Sequence, residues 1–129
     1  MRYFILFFVF IVLSAAINAK PGSFAYTRVD FMLTLSDGIK LDCTKFIPTG
    51  SPPAGGWPCA LIAHGYGLTK FSEMPDAEDY ASNGYYSFVY SMRGQGVSEG
   101  LSNFISMTEA NDLKQVVVYM KNDINHLKD

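Results

Sequence analysis

A chain of 129 residues with a formal net charge of −2, 49% apolar and 15% aromatic residues, has the composition of a core-forming fold rather than a disordered segment. It has no basic excess and no run of five like charges, which argues against an electrostatic nucleic-acid binder. The length accommodates one domain or part of one.

The first nineteen residues differ in kind from the rest. Met1-Arg2 gives a short positive start, eleven apolar residues follow over 3–13, and Ser14-Ala15-Ala16-Ile17-Asn18-Ala19 completes the pattern of a secretory signal peptide cleaved after Ala19 or after Ala16. The rival reading is an uncleaved membrane anchor over residues 3–17, although that stretch falls short of the roughly 20 apolar residues that span a bilayer. The expected product is therefore secreted or extracytoplasmic, spans residues 20–129 and meets the membrane only during export. In such a compartment Cys43 and Cys59 have two readings, a disulfide or two thiols buried as small hydrophobes.

Residues 24–35 form a β-prone stretch in which Tyr26, Thr27, Val29, Phe31, Leu33 and Leu35 follow a partial period of two. Ser36-Asp37-Gly38 is a turn, with Asp-Gly suited to two positive-φ positions. Over 39–47, Ile39, Leu41 and Cys43 fall on one side and Lys40, Asp42 and Thr44 on the other, which predicts a β-hairpin. Three prolines and three glycines within 48–57 rule out regular structure there and read as a surface loop.

Residues 58–67 organise the chain. The apolar run Cys59-Ala60-Leu61-Ile62-Ala63 reads as a strand buried on both faces of a parallel sheet. It ends in His64-Gly65-Tyr66-Gly67, whose glycines let the backbone turn at the carboxyl end of the strand, where ligands bind in open α/β sheets. Residues 68–75 read as irregular and 76–82 as a short helix with Met74, Ala77, Tyr80 and Ala81 as its apolar stripe, ended by Asn83-Gly84. Aromatic and β-branched residues over 85–90 predict another strand, followed by the glycine-rich 91–100. Ser106-x-x-Glu109 is a capping box opening a helix over 106–122, with Leu113, Val116, Val117, Met120 and Ile124 as one apolar stripe. A hairpin followed by β, α, β, α predicts an α/β fold with a parallel sheet.

Three motifs carry a resemblance. Asp37-Gly38-Ile39-Lys40-Leu41, His64-Gly65-Tyr66-Gly67 and Met92-Arg93-Gly94-Gln95-Gly96-Val97-Ser98-Glu99-Gly100, in this order, are similar to the amino-terminal half of an α/β-hydrolase, closest to the Xaa-Pro dipeptidyl-peptidase/cocaine-esterase branch. The resemblance covers residues 24–129. It departs at Ser91, where the branch usually carries an acid two residues before the arginine, and that weakens an ion pair expected at this corner.

The resemblance implies a serine hydrolase that cleaves a small-molecule ester or peptide through an acyl-enzyme, with no cofactor. In this fold the serine sits on a Gly-x-Ser-x-Gly elbow between strand and helix, on the strand after the 106–122 helix, with the acid and base later still. No elbow is expected in this chain: Gly22-Ser23, Gly50-Ser51 and Val97-Ser98-Glu99-Gly100 are set aside. The chain thus reads as an amino-terminal portion without its triad, inactive by itself. Marginal stability follows from the 58–63 strand lacking its next partner.

What the resemblance retains is the oxyanion side of the site. Tyr66 takes the position where this branch uses a phenol to stabilise the tetrahedral intermediate, supported by His64, Gly65 and Gly67; the alternative is a tyrosine that packs over the turn. His64 reads as a loop-orienting residue and not a triad base, and His126 as a solvated residue near the chain end. Arg93 and Glu99 either brace the second loop together or stand as separate surface charges. The resemblance also sets the 85–90 strand between 39–47 and 58–63. That puts Cys43 and Cys59 about 9–10 Å apart, beyond the roughly 7 Å a disulfide tolerates, so free thiols are expected.

Other classes fit less well. Neither Gly-x-Gly-x-x-Gly nor Gly-x-x-x-x-Gly-Lys-Ser/Thr occurs, which disfavours a nucleotide cradle, and two histidines and two cysteines without ligand spacing disfavour a metal site. A secreted non-catalytic binding or scaffold protein is the second hypothesis.

Overall fold

The computed structural model describes residues 23–123. The proposed signal peptide or anchor, Ile124 and His126 lie outside them. Two antiparallel strands, β1 (Tyr26–Thr34) and β2 (Lys40–Pro48), are followed by β3 (Cys59–Ala63), helix α1 (Lys70–Ser82), β4 (Tyr86–Tyr90) and helix α2 (Met107–Asp123). The sheet order is β1-β2-β4-β3, with β2 and β4 antiparallel and β3 and β4 parallel. No helix among the described residues is long and apolar enough to cross a membrane.

The hairpin registers Phe31 against Cys43 and Leu33 against Leu41. Its turn departs from the expected pair of positive-φ residues. Only Gly38 is left-handed, at φ 85°, while its N–H donates to the Leu35 carbonyl at 3.0 Å and Asp37 Oδ1 accepts from the Ile39 N–H at 3.2 Å.

Strand periodicity sends the two faces to different helices. Leu41, Cys43, Tyr86, Phe88 and Tyr90 meet Val116 and Met120 of α2, whereas Phe46, Val89 and Ile62 meet Met74, Ala77 and Ala81 of α1. The side of β2 that reads as polar is therefore not wet. Asp42 and Thr44 lie buried beneath α1, which brings them a buried cation, Lys70. The loop read as a surface connection also contributes to the core, through buried Trp57.

Two predicted elements need correction. The strand buried throughout is β4; β3 has helices above and below but is the edge strand among the described residues, with Cys59 and Ala63 exposed. Cys59 is thus not a buried thiol, although both cysteines are free as expected. Helix α1 begins at Lys70, not at residue 76, and contains Pro75. Thr69 caps it, its Oγ1 accepting from the Phe71 N–H at 3.4 Å. Pro75 costs the bond to the carbonyl of Phe71, an exposed residue to which water has access. At the other end Gly84 N–H donates to the Ala81 carbonyl and Tyr85 N–H to that of Tyr80, while the Tyr80 and Tyr85 rings meet edge to face at 5.4 Å. This is a Schellman ending with its apolar contact.

The capping box of α2 forms as expected. Glu109 Oε2 accepts from the Ser106 N–H at 2.9 Å, and Ser106 Oγ accepts from the Thr108 N–H at 3.1 Å. Val116 and Met120 are buried, but Leu113 remains exposed.

Candidate active site

Because β3 and β4 run parallel, Ala63 and Tyr90 end at the same rim of the sheet, and the loops that follow them lie side by side. The loop after β3 is short and tightly turned. Leu68 N–H donates to the Gly65 carbonyl at 3.1 Å, with Tyr66 and Gly67 between them and Gly67 at φ 80°. A positive φ at the third turn position calls for glycine, and it leaves the preceding side chain standing outward. Tyr66 accordingly projects at the rim, 58% exposed, its ring 4.6 Å from that of Phe104 and inclined at 62°.

His64 is 3% exposed and joins the two loops. Its Nε2 accepts from the Met92 N–H at 2.9 Å, so Nδ1 carries the proton and donates to the Gly65 carbonyl at 2.7 Å. With both ring nitrogens engaged it orients the backbone and has no lone pair left for a general base. A second bridge runs from the Gly67 N–H to Gln95 Oε1 at 3.0 Å. His64, Gly65, Tyr66 and Gly67 therefore form one braced corner. Beside it lies a largely apolar hollow of about 230 Å³, lined by Ala63, Tyr90, Met92, Ile105, Ala110 and Leu113 together with Ser106 and Glu109.

The loop after β4 is sewn to the hairpin. Glu99 does not pair with Arg93: its carboxylate accepts from the Lys40 N–H at 3.0 Å, and its own N–H donates to the Lys40 carbonyl at 2.9 Å. Arg93 instead forms a fork with Asp112 of α2, at 2.8 and 2.7 Å, and reaches Asp37 at the hairpin turn at 2.7 Å. The hydrogen bonds that Arg93 donates to Asp112 and, against the opposing effect of burial, to Asp37 raise the guanidinium pKa above its ordinary value, and Arg93 in turn lowers that of the Asp37 carboxyl. Both readings of Arg93 and Glu99, mutual brace or separate surface charges, are thus replaced. Gly94 is fixed by crowding, because at φ 71° a Cβ would lie 2.5 Å from the Ser102 nitrogen.

Ser91, where an acid was expected, is buried. It accepts the Lys70 N–H on Oγ at 3.1 Å, at the start of α1. The charge pairing at this corner comes from elsewhere: Lys70 Nζ lies 2.5 Å from Asp42 and 3.4 Å from Asp30. Thr44 donates to Asp30 at 2.5 Å, which lowers the Asp30 pKa despite partial burial.

Ser98 requires a correction to the sequence reading. Taken with Gly96, the segment Gly96-Val97-Ser98-Glu99-Gly100 does match Gly-x-Ser-x-Gly, so spacing alone cannot set it aside. Geometry does. Ser98 is 8% exposed, its Oγ donates to the Ser91 carbonyl at 2.7 Å and accepts from the Asp42 N–H at 2.9 Å, and no helix follows before Met107. It is a loop pin, lacking the exposed strand-to-helix turn that a nucleophile needs. Lys70 and Asp112 are the structural residues that sequence reasoning missed, and only the long-range pairing of buried charges identifies them.

A family model for X-Pro dipeptidyl-peptidases (S15 family) matches residues 37–123, which include all three motifs and the whole rim. The chain belongs to this family. Among solved structures it is similar to an esterase of Pyrococcus furiosus, at 26% identity and a TM-score of 0.61 over 79% of this chain and 38% of that one. The α/β hydrolase GrgF of a Penicillium species matches at 24% identity and a TM-score of 0.62, over 80% of this chain and 34% of that one. The chain thus spans little more than a third of the length of these structures. A search of curated proteins gave no match. The S15-family membership and these neighbours establish the fold as that of the α/β-hydrolases, in agreement with the strand order.

Proposed function

We propose that this chain supplies the oxyanion side of a secreted serine hydrolase, an esterase or an Xaa-Pro-type peptidase, and that Tyr66 donates its phenol hydrogen to the developing oxyanion. Attack of a serine on an ester or amide carbonyl converts the carbonyl oxygen into an alkoxide, which a pre-placed donor stabilises without reorganising. The observation that carries the reading is the exposed Tyr66 on a turn braced at two points, beyond the carboxyl end of β3. Family membership supports hydrolysis as the chemistry. In the layout of this fold the nucleophile, acid and base follow the helix corresponding to α2, and residues 1–19 act as a signal peptide. No step calls for a metal or cofactor.

The test is to read the coding sequence past the codon for Asp129 and express the protein it encodes. A Gly-x-Ser-x-Gly elbow is expected within about forty residues, since another helix-to-strand interval must intervene. A fluorophosphonate probe should label that serine and leave Ser98 untouched. A stop codon after Asp129 would favour a non-catalytic binding or scaffold protein, and labelling at Ser98 would overturn the assignment of the nucleophile.

A further inference from the structure

We propose that Phe104 is a positioning residue for the Tyr66 phenol, held against it by a strained turn that the first carboxylate of α2 pins. The inference rests on the reading of Tyr66 as an oxyanion donor. Three observations converge. The two rings meet at 4.6 Å in an edge-to-face arrangement, yet Tyr66 is 58% and Phe104 62% exposed, so the pair stands at the rim and fills no core. Phe104 and Ile105 are the only described residues other than glycine at positive φ, 55° and 31°. A side chain with a Cβ adopts that backbone only where its surroundings impose it.

Glu109 imposes it. Oε1 accepts from the Asn103 N–H at 2.7 Å and Oε2 from the Ser106 N–H at 2.9 Å, so one carboxylate grips the chain on both sides of Phe104 and Ile105. Ser102 Oγ adds a weaker contact to the Phe104 N–H at 3.4 Å. The capping box therefore does two things: it starts α2 and holds an aromatic ring against that of Tyr66. A phenol on an open turn samples several staggered χ1 wells, and a ring packed against one side removes some of them. Placement of a donor by even an ångström governs rate, so Phe104 acts through Tyr66 without touching substrate.

Ring proton and carbon shifts of Tyr66, measured by NMR on this chain with labelled tyrosine, test the contact directly. The wild-type protein should show ring-current-shifted Tyr66 signals, Phe104→Leu should lose the shift, and Phe104→Tyr should restore it. Glu109→Gln, which keeps the size of the side chain but weakens its grip, should broaden or average the signals. Unchanged Tyr66 signals in Phe104→Leu would overturn the proposal. In the nucleophile-bearing protein, Phe104→Leu should lower kcat roughly ten- to hundredfold with KM little changed. It should add nothing to Tyr66→Phe. If Tyr66→Phe alone leaves kcat intact, the oxyanion reading fails whatever Phe104 does; if it lowers kcat while Phe104→Leu does not, only the positioning role fails.

Discussion

His64 shows how a single side chain fixes the corner. It accepts from one loop and donates within the other, so replacing it with alanine leaves the Met92 N–H without its acceptor and opens the space between the loops. His64→Ala should cost about 1–3 kcal/mol in urea unfolding, the usual penalty for orphaning a buried donor. An unchanged midpoint would contradict the bridging role. The thiols give a second residue-scale prediction. Burial pushes the Cys43 pKa up to about 12 and raises that of Cys59 too, but Cys59 lies exposed at the sheet edge. One equivalent should react with a disulfide-exchange reagent in the native state and two in denaturant; two native equivalents of equal rate would contradict the packing of Cys43. His64 was legible because its place after a strand already argued against a catalytic base. Lys70 was not, because its partners Asp42 and Asp30 lie 28 and 40 residues earlier in the chain. A pairing over that distance leaves no local pattern.

Among the elements, α2 was readable from its capping box, and the same residue makes its stability pH-dependent. The Ser106 hydroxyl first, then the Asn103 N–H, lower the Glu109 pKa from 4.5 to about 2. A carboxyl whose folded pKa is depressed contributes stability that is present above its unfolded pKa and is lost as pH falls through the folded one. The loss therefore runs from about pH 4.5 down to about 2, with Asp30, Asp37 and Asp123 shifted in the same direction. Thermal melts should show Glu109→Gln less stable than wild type at pH 7, with the two curves converging towards pH 2. A constant gap across that range would contradict the assignment. Helix α1 was only half legible. Pro75 reads as a breaker, and Lys70-Phe71-Ser72-Glu73 shows no apolar stripe, yet the turn forms because Thr69 caps it and Ser91 and Asp42 hold Lys70. The β3 run disclosed cover on both faces but could not disclose an edge, since lateral neighbours lie elsewhere in sequence.

For the molecule as a whole, the Arg93 cluster ties the hairpin turn, the loop after β4 and helix α2 into one body through Asp37 and Asp112. Asp112→Ala would leave the buried guanidinium with only the exposed Asp37, and should destabilise the fold by about 3–5 kcal/mol. A loss below 1 kcal/mol in denaturant titration would contradict a buried, paired charge. The alternation of strands and helices was legible from periodicity, whereas the order β1-β2-β4-β3 followed from family resemblance, because crossover and register are set by contacts between distant segments. The role proposed for the rim rests on Tyr66, and one substitution tests it most directly. In the protein bearing the nucleophile, Tyr66→Phe removes one hydroxyl and keeps the ring, and kcat should fall roughly 100- to 1000-fold with little change in KM. A kcat equal to that of the wild type would contradict the account.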